Sequence, residues 1–397
     1  MDYALKQKRM AYGISQNRLA VCAGISREYL NKIENGKLAP SPEILKKLQQ
    51  ALEKLNPDSP LELMIDYVRI RFPTMNVQYV VEQILKLKMD YMIHEDFGFY
   101  SYTEHFVLGD IFVLVSADTE KGVLVEMKGK GCRQMENYLL AQHRSWYNFF
   151  SDILKEKGIM KRLDIAINDK AGILDIPMLT TKCENEECIS IFRSFKSYRS
   201  GELLKSREDD KYGMGSTLYI GSLKSEVYFC TYEKAYEQYA KYHIPVEDTD
   251  IRNRFEIRLK NERACKALED LVAYQDAERT AFSIINRYIR FVDSVEGKRR
   301  SDWPLSPDWE YFIGTNRGRL KLTTRPEPYT FQRTLNWLSH QVGPTLKVTK
   351  ELDALKGTEI LDTIIKEAKL TKKHKKLIKQ QTASISELIY EGDETLC

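Results

Sequence analysis

Two acidic residues stand where a strand does not ordinarily carry them. Asp164 lies in KRLDIAINDK between Leu163 and Ile165, and Glu256 lies in NRFEIRLKN, on one face with Arg254 and Arg258 and opposite Phe255 and Ile257. A carboxylate inside an alternating apolar segment needs a charged partner, an ion or solvent. An ordinary solvated sheet face produces the same alternation. Five tyrosines, Tyr219, Tyr228, Tyr232, Tyr236 and Tyr239, crowd residues 219–239, a density that strands and half-buried surfaces also produce. Other chemistries lack their residues. The six histidines are isolated, and Cys183 and Cys188 have no second ligand pair for zinc. There is no GxxxxGK[ST] loop, and Gly129 and Gly131 in GKGCRQMEN match neither that pattern nor GxGxxG, so neither a nucleotide-driven motor nor a dinucleotide enzyme is expected.

The elements that must position these residues are legible from periodicity. LMIDYVRIRF, FVLGDIFVLVS, KGVLVEMKG, KRLDIAIND, STLYIGSL, VYFCTYEK and RFEIRLK read as strands. NVQYVVEQILKLK, CRQMENYLLAQHRSWYNFFSDILKEKG and EKAYEQYAKYH read as helices, and the chain after RFEIRLK is mainly helical. Near the N-terminus, Ser15 and Ser26 are helix caps, Gly24 and Gly36 are breakers, and Pro42 opens an amphipathic helix with Ile44, Leu45, Leu48 and Leu52. The expected class is α+β: an all-α helix-turn-helix unit over 1–55, a linker at 56–63 around NPDSP, a mixed sheet-and-helix body over 64–345 that is helical from about 265, and a basic helical tail over 346–397.

With 397 residues, 43% hydrophobic and 30% charged, the chain has the composition of a soluble globular protein of two or three domains. Nothing approaches a membrane span, MDYALKQKRM lacks a signal-peptide core, and seven scattered cysteines predict a reducing compartment, so a cytoplasmic location is the expectation. The net charge of +4 conceals an asymmetry. Residues 1–55 carry ten Lys/Arg against five Asp/Glu, and residues 366–379 carry seven Lys against Glu367, which leaves the rest at −7. Basic pieces of this kind suit phosphate; a solvated helix face also accounts for the Lys run. SELIYEGDETLC after it reads as a frayed end.

SQNRLAVCAGISREYLNKIENGK resembles the Cro/repressor (Xre-like) helix-turn-helix family. The resemblance implies that Arg27, Glu28 and Asn31 reach base edges and that Gln16 and Lys32 contact phosphate or edges. Farther on, DYVRIRFP, GFYSY, GDIFVLVS, KGKGCRQME, RLDIAIND, TLYIGSLKSEVYFCTYEKAYEQ, RFEIRLK and TLNWLSHQV resemble the replication-initiation-factor family, which contains rolling-circle initiators and relaxases of integrative conjugative elements. Fusion to an Xre-like unit is similar to the relaxase branch called MobT. What this implies is a tyrosine that attacks a DNA phosphodiester at an origin of transfer, leaving a 5′-phosphotyrosyl link and a 3′-OH, aided by carboxylate-held Mg²⁺ or Mn²⁺.

The implied nucleophile is Tyr232, with Tyr228 as runner-up. Lys234 and Arg258 would stabilise the developing charge, and the implied metal ligands are Asp164, then Glu256, then Glu136. Lys372, Lys373, Lys375 and Lys376 in the tail are expected to meet DNA. The implied partners are double- and single-stranded origin DNA and transfer-complex proteins such as an accessory factor, coupling protein or helicase, without membrane insertion. The alternatives are a rolling-circle plasmid replication initiator and a non-enzymatic helix-turn-helix transcriptional regulator.

Overall fold

The computed structural model describes residues 5–6, 9, 16–55, 60–199, 215–242, 244, 246, 249–314, 320, 322–327, 334–335 and 338–392. Residues 56–59 of the expected linker and the last five residues of the tail lie outside the described residues.

Near the N-terminus, α1 (Gln16–Ala23), α2 (Arg27–Glu34) and α3 (Pro42–Lys54) follow one another. The Ser26 hydroxyl accepts from the Tyr29 N–H at 3.1 Å and so caps α2. Leu19, Leu30, Ile33, Leu48 and Leu52 close a small core of their own, as their helical spacing predicts.

The body is built on one ten-stranded sheet in the order β2-β3-β4-β5-β1-β6-β11-β10-β9-β8. Its strands are β1 (Leu61–Phe72), β2 (Ile93–Glu95), β3 (Glu104–Leu108), β4 (Ile111–Val115), β5 (Val123–Lys128), β6 (Ile159–Asp169), β8 (Phe195–Arg199), β9 (Ser216–Ile220), β10 (Val227–Tyr232) and β11 (Asn253–Lys260). Every pairing is antiparallel. A separate two-stranded ribbon joins β7 (Cys188–Ser190) to β12 (Ile289–Phe291). The helices are α4 (Gly129–Ala141), α5 (Trp146–Lys155), α6 (Ile176–Glu184), α7 (Lys234–Tyr242), α8 (Asn261–Tyr274), α9 (Ala277–Tyr288), α10 (Pro307–Ile313), α11 (Gly343–Lys356), α12 (Ile360–Glu367) and α13 (Lys372–Thr382). Because strand side chains alternate, Leu163, Ile165, Ile167, Phe255, Ile257 and Phe229 enter one core with Trp146 and Phe150 of α5, Leu268 of α8, Phe282 of α9 and Trp309 of α10. The intervening residues share the opposite face.

Three local expectations change. FVLGDIFVLVS is a hairpin rather than one strand: Gly109 at φ +62° turns the chain, and Leu108 pairs with Ile111. The long helical run breaks into α4 and α5 because Ser145 and Asn148 form a capping box that starts a new helix. Residues 386–392 of the acidic end are not frayed. Leu388 and Ile389 are buried, and the Lys88 N–H donates to the Leu388 carbonyl at 2.9 Å. Apolar burial and a backbone bridge hold these residues to the body. Among the described residues, no helix is long and apolar enough to cross a membrane.

Candidate active site and nucleic-acid interface

Strand register brings the polar residues together in cross-sheet rows. One row reads Tyr67, Asp164, Arg258 and Tyr228 across β1, β6, β11 and β10. The next reads Ala166, Glu256, Cys230 and Tyr219, and the one after it Asn168, Arg254, Tyr232 and Thr217. β1 carries an irregularity between Ile65 and Tyr67. This extra residue is a bulge that aims Asp66 at Arg254, whose Nη1 lies 3.0 Å from Asp66 Oδ1.

The face is not solvated. Asp164 is 3% and Glu256 4% exposed, which removes the simple solvated-sheet reading of the alternation. Each carboxylate is instead gripped by the arginine two residues away on its own strand. Arg162 donates to both oxygens of Asp164 at 2.9 and 2.6 Å, and Arg258 donates from two nitrogens to Glu256 Oε2 at 2.8 and 2.6 Å. The free oxygen of Glu256, Oε1, accepts from the Tyr232 hydroxyl at 2.9 Å. Burial, reinforced by Glu256, raises the Tyr232 phenol well above its ordinary value. Burial, with Glu256 adding to it, pushes Asp164 up to about 6 against the pull of Arg162 and Arg258.

Lys234 opens α7, lies 5.5 Å from the Tyr232 ring centroid and pairs with Glu237. Burial and Arg254 lower its ammonium below the usual lysine range. It is therefore not a solvated strand-end lysine. Tyr228 is held differently from Tyr232, between Arg258 and Lys260, whose cations lie 5.7 and 5.0 Å from its ring.

Glu136 does not join this group. It sits on α4 and accepts from the Trp146 indole at 2.9 Å and the Arg325 N–H at 2.7 Å, and it lies 2.9 Å from Arg133. Its carboxylate ties α4 to α5 and to the 322–327 segment, a structural use that its sequence context did not reveal. Among the described residues, no group of three or more His, Cys, Asp or Glu side chains is placed to enclose a metal ion. Asp164 and Glu256 still form a pair of hard oxygen donors near enough to influence each other's ionisation. Their four oxygens are engaged by Arg162, Arg258 and Tyr232, so an ion of the Mg²⁺ kind, which takes one or two carboxylates and completes its shell with water and substrate phosphate, would have to displace some of those donors.

In the N-terminal unit, Arg27, Glu28, Asn31 and Lys32 are exposed on α2. Gln16 is used internally: its amide donates to Glu34 at 2.7 Å and accepts from Asn31 at 3.3 Å, while Arg9 pairs with the same buried Glu34 at 2.6 Å. In the tail, Lys373 lies 2.5 Å from Glu95, and Lys376 donates to the Met92 carbonyl at 2.7 Å. These contacts tie α13 to the β2 edge; Lys376 is half-buried there, whereas Lys373, like Lys372 and Lys375, is exposed. The sequence reading missed Arg162, Asp66 and Tyr67. Arg162 was recoverable from its two-residue spacing to Asp164; Asp66 was not, because a bulge leaves no periodic mark.

A sheet of this topology, with a half-buried tyrosine bonded to a buried carboxylate among arginines and a helix-turn-helix unit ahead of it, defines the class. The chain belongs to the replication initiation factor family, whose signature matches residues 158–365. The signature of the rolling circle replication initiation protein N-terminal domain matches residues 62–152, and a helix-turn-helix signature matches residues 5–58. This family generally uses a divalent metal. The chain is 41% identical over 347 residues to the DNA relaxase NicK of Bacillus subtilis (strain 168), covering 87% of this chain and 96% of that one. Its fold is similar to the rolling circle replication initiator protein from Geobacillus stearothermophilus, with a TM-score of 0.56 and 24% identity over 67% of this chain and 99% of that one.

Proposed function

We propose that this protein is a DNA relaxase that nicks one strand at an origin of transfer by tyrosine transesterification and so starts transfer of a mobile element. The observation that carries the reading is the 2.9 Å hydrogen bond from the Tyr232 hydroxyl to Glu256, which supplies a nucleophile already touching its proton acceptor. Glu256 takes the phenolic proton as the Tyr232 oxygen forms its bond to phosphorus. The bond from phosphorus to the 3′-oxygen breaks, and that oxygen leaves as the 3′-hydroxyl after taking a proton from solvent or Lys234. Arg258, Arg254 and Lys234 offset the charge that develops on the phosphoryl oxygens. Asp164 and Glu256 would hold Mg²⁺ or Mn²⁺ together with that phosphate, and the ion, when bound, withdraws charge from it. The phosphotyrosyl bond conserves the energy for religation, which accounts for a chain without a P-loop.

The exposed α2 residues Arg27, Glu28, Asn31 and Lys32 dock residues 1–55 on duplex DNA, the body over 64–345 performs the chemistry, and the tail over 346–397 adds Lys372 and Lys375 as phosphate contacts. This work belongs in the cytoplasm, beside the transfer-complex proteins that would receive the nicked strand. The second reading, a rolling-circle plasmid replication initiator, uses the same chemistry, and the fold likeness to such an initiator favours keeping it. A purely regulatory role gives the Tyr232–Glu256 pair no work. The test is a nicking assay on supercoiled plasmid bearing the candidate origin. The parent is expected to form a covalent protein–DNA adduct that Tyr232→Phe loses while still binding DNA. An adduct undiminished in Tyr232→Phe and lost in Tyr228→Phe would move the nucleophile four residues back.

A further inference from the structure

On the same sheet face, the row next to Asp164 runs from Arg162 through Arg69 and Glu126 to Phe112. Beyond it the loop between β2 and β3 folds back over the sheet. Phe99 lies 5.9 Å from Phe112 and 5.0 Å from His105, and Phe97 lies 5.0 Å from His105, all between ring centroids. Tyr100 covers Arg69, with 4.0 Å from the guanidinium carbon to the ring centroid, and its hydroxyl donates to Glu126 at 3.0 Å. Despite this network, Phe97 is 57% and Tyr100 48% exposed.

The loop is built at a conformational cost. Tyr100 and Ser101 adopt φ of +56° and +63°, a region that bulky residues rarely enter. A Cβ on Gly98 would stand 2.4 Å from the Tyr102 carbonyl oxygen. Strain of this kind persists where surrounding contacts over-determine the loop, and here they hold aromatic rings toward solvent rather than into the core. Lys128, 59% exposed, flanks Glu126 at 3.2 Å, so cationic groups border the rings.

We infer that the 97–100 loop is a stacking platform for unpaired bases of the DNA strand leading to or from Tyr232, with Lys128 and Lys260 along the path of its phosphates. Exposed ring faces beside cations are what single strands use, because every unpaired base offers a π-face and paired bases do not. Arg162 links this platform to the reaction site: it binds Asp164 and lies 4.0 Å from the centroid of Tyr67, whose hydroxyl also bonds Glu126. The inference rests on the relaxase reading and adds a grip on the strand that this reading does not contain.

The test uses the full chain carrying Tyr232→Phe, so that DNA stays uncleaved, and fluorescein-labelled oligothymidine of about 16 nucleotides. Adding Phe97→Ala and Tyr100→Ala is expected to weaken binding at fixed salt by about tenfold or more, since stacking is worth about that factor per base. Phe97→Trp is expected to keep or improve affinity, and duplex binding through α2 is expected to stay within about twofold. An unchanged thermal transition shows that the double-alanine chain is folded. A folded double-alanine chain that binds oligothymidine as tightly as its parent overturns the platform, as does a Phe97→Trp chain as weak as the alanine variant. Failure of the relaxase reading looks different: no adduct from the parent chain on origin plasmid, whatever its single-strand affinity.

Discussion

On β6 and β11, Leu163, Ile165, Ile167, Phe255 and Ile257 enter the core beneath α8 and α10, whereas their immediate neighbours form a layer of charge on the other face, with Asp164 and Glu256 buried and Arg162 and Arg258 half-buried. The first set stabilises the fold by apolar transfer, about 25 cal/mol per Å² removed from water. The second set works against it. Desolvating an ion pair costs more than many such pairs return, and well-packed apolar replacements often do as well or better. A strand alternating between these sets carries stability on one side and the candidate site on the other. The two should separate under mutation.

The largest expected effect is on the polar face. Glu256→Gln leaves Tyr232 without a proton acceptor, and nicking is expected to fall by about 10²–10⁴-fold, with a smaller loss of stability because Arg258 loses its carboxylate, read by adduct yield and melting temperature together. A Glu256→Gln chain that unfolds instead would show that the two faces are not separable.

The converse variant is Phe255→Ala. Its ring lies 5.5 Å from Phe312 and 5.3 Å from Phe229, and its loss is expected to cost about 3–5 kcal/mol in denaturant unfolding. Nicking per folded molecule should stay near that of the parent.

A smaller effect of opposite sign follows from Asp164. Burial holds its carboxyl at about 6, above the unfolded value near 3.8, so the folded chain keeps this proton more tightly than the unfolded chain does. The stability it contributes is fully present below about pH 4 and is lost as pH rises through about 6. Asp164→Asn, neutral throughout, is therefore expected to be more stable than the parent at pH 8 by up to about 3 kcal/mol, with the gap closing toward pH 4. Unfolding curves at the two pH values check it. Nicking by the parent should decline as pH falls below about 6 and the carboxyl protonates.

The smallest effect tests the module that stands apart from the sheet. Arg27→Ala on exposed α2 is expected to weaken duplex binding by about 1–3 kcal/mol if it reads a base, without altering nicking of single-stranded origin DNA. Equal loss on unrelated duplexes would make it a phosphate contact instead.

Much of the fold was legible because the signals are local. The cap at Ser26, the proline at 42 and the two-residue alternation of β6 and β11 are written in consecutive residues. The same alternation marked Asp164 and Glu256 as unusual and put Arg254 and Arg258 on Glu256's face. It could not tell burial from solvation, because that depends on what the rest of the chain lays against the face. The Glu136 expectation failed for a related reason: the partners that fill its carboxylate, Trp146 and Arg325, come from other elements. The tail lysines divided between docking and exposure according to which side of α13 meets the β2 edge.

By itself, the sequence determined most of the secondary structure, the family and a short list of candidate groups, since each follows from residue type and spacing. Only the tertiary structure decided that Tyr232 meets Glu256, that a bulge turns Asp66 toward Arg254, and that a strained aromatic loop shares the sheet face of that pair. Those outcomes depend on strand register and on loops returning over the sheet. The hydrogen bond of Tyr232 to Glu256 joins residues 24 positions apart, and the ion pair of Arg254 with Asp66 joins residues 188 apart. No periodicity of the chain encodes such pairings.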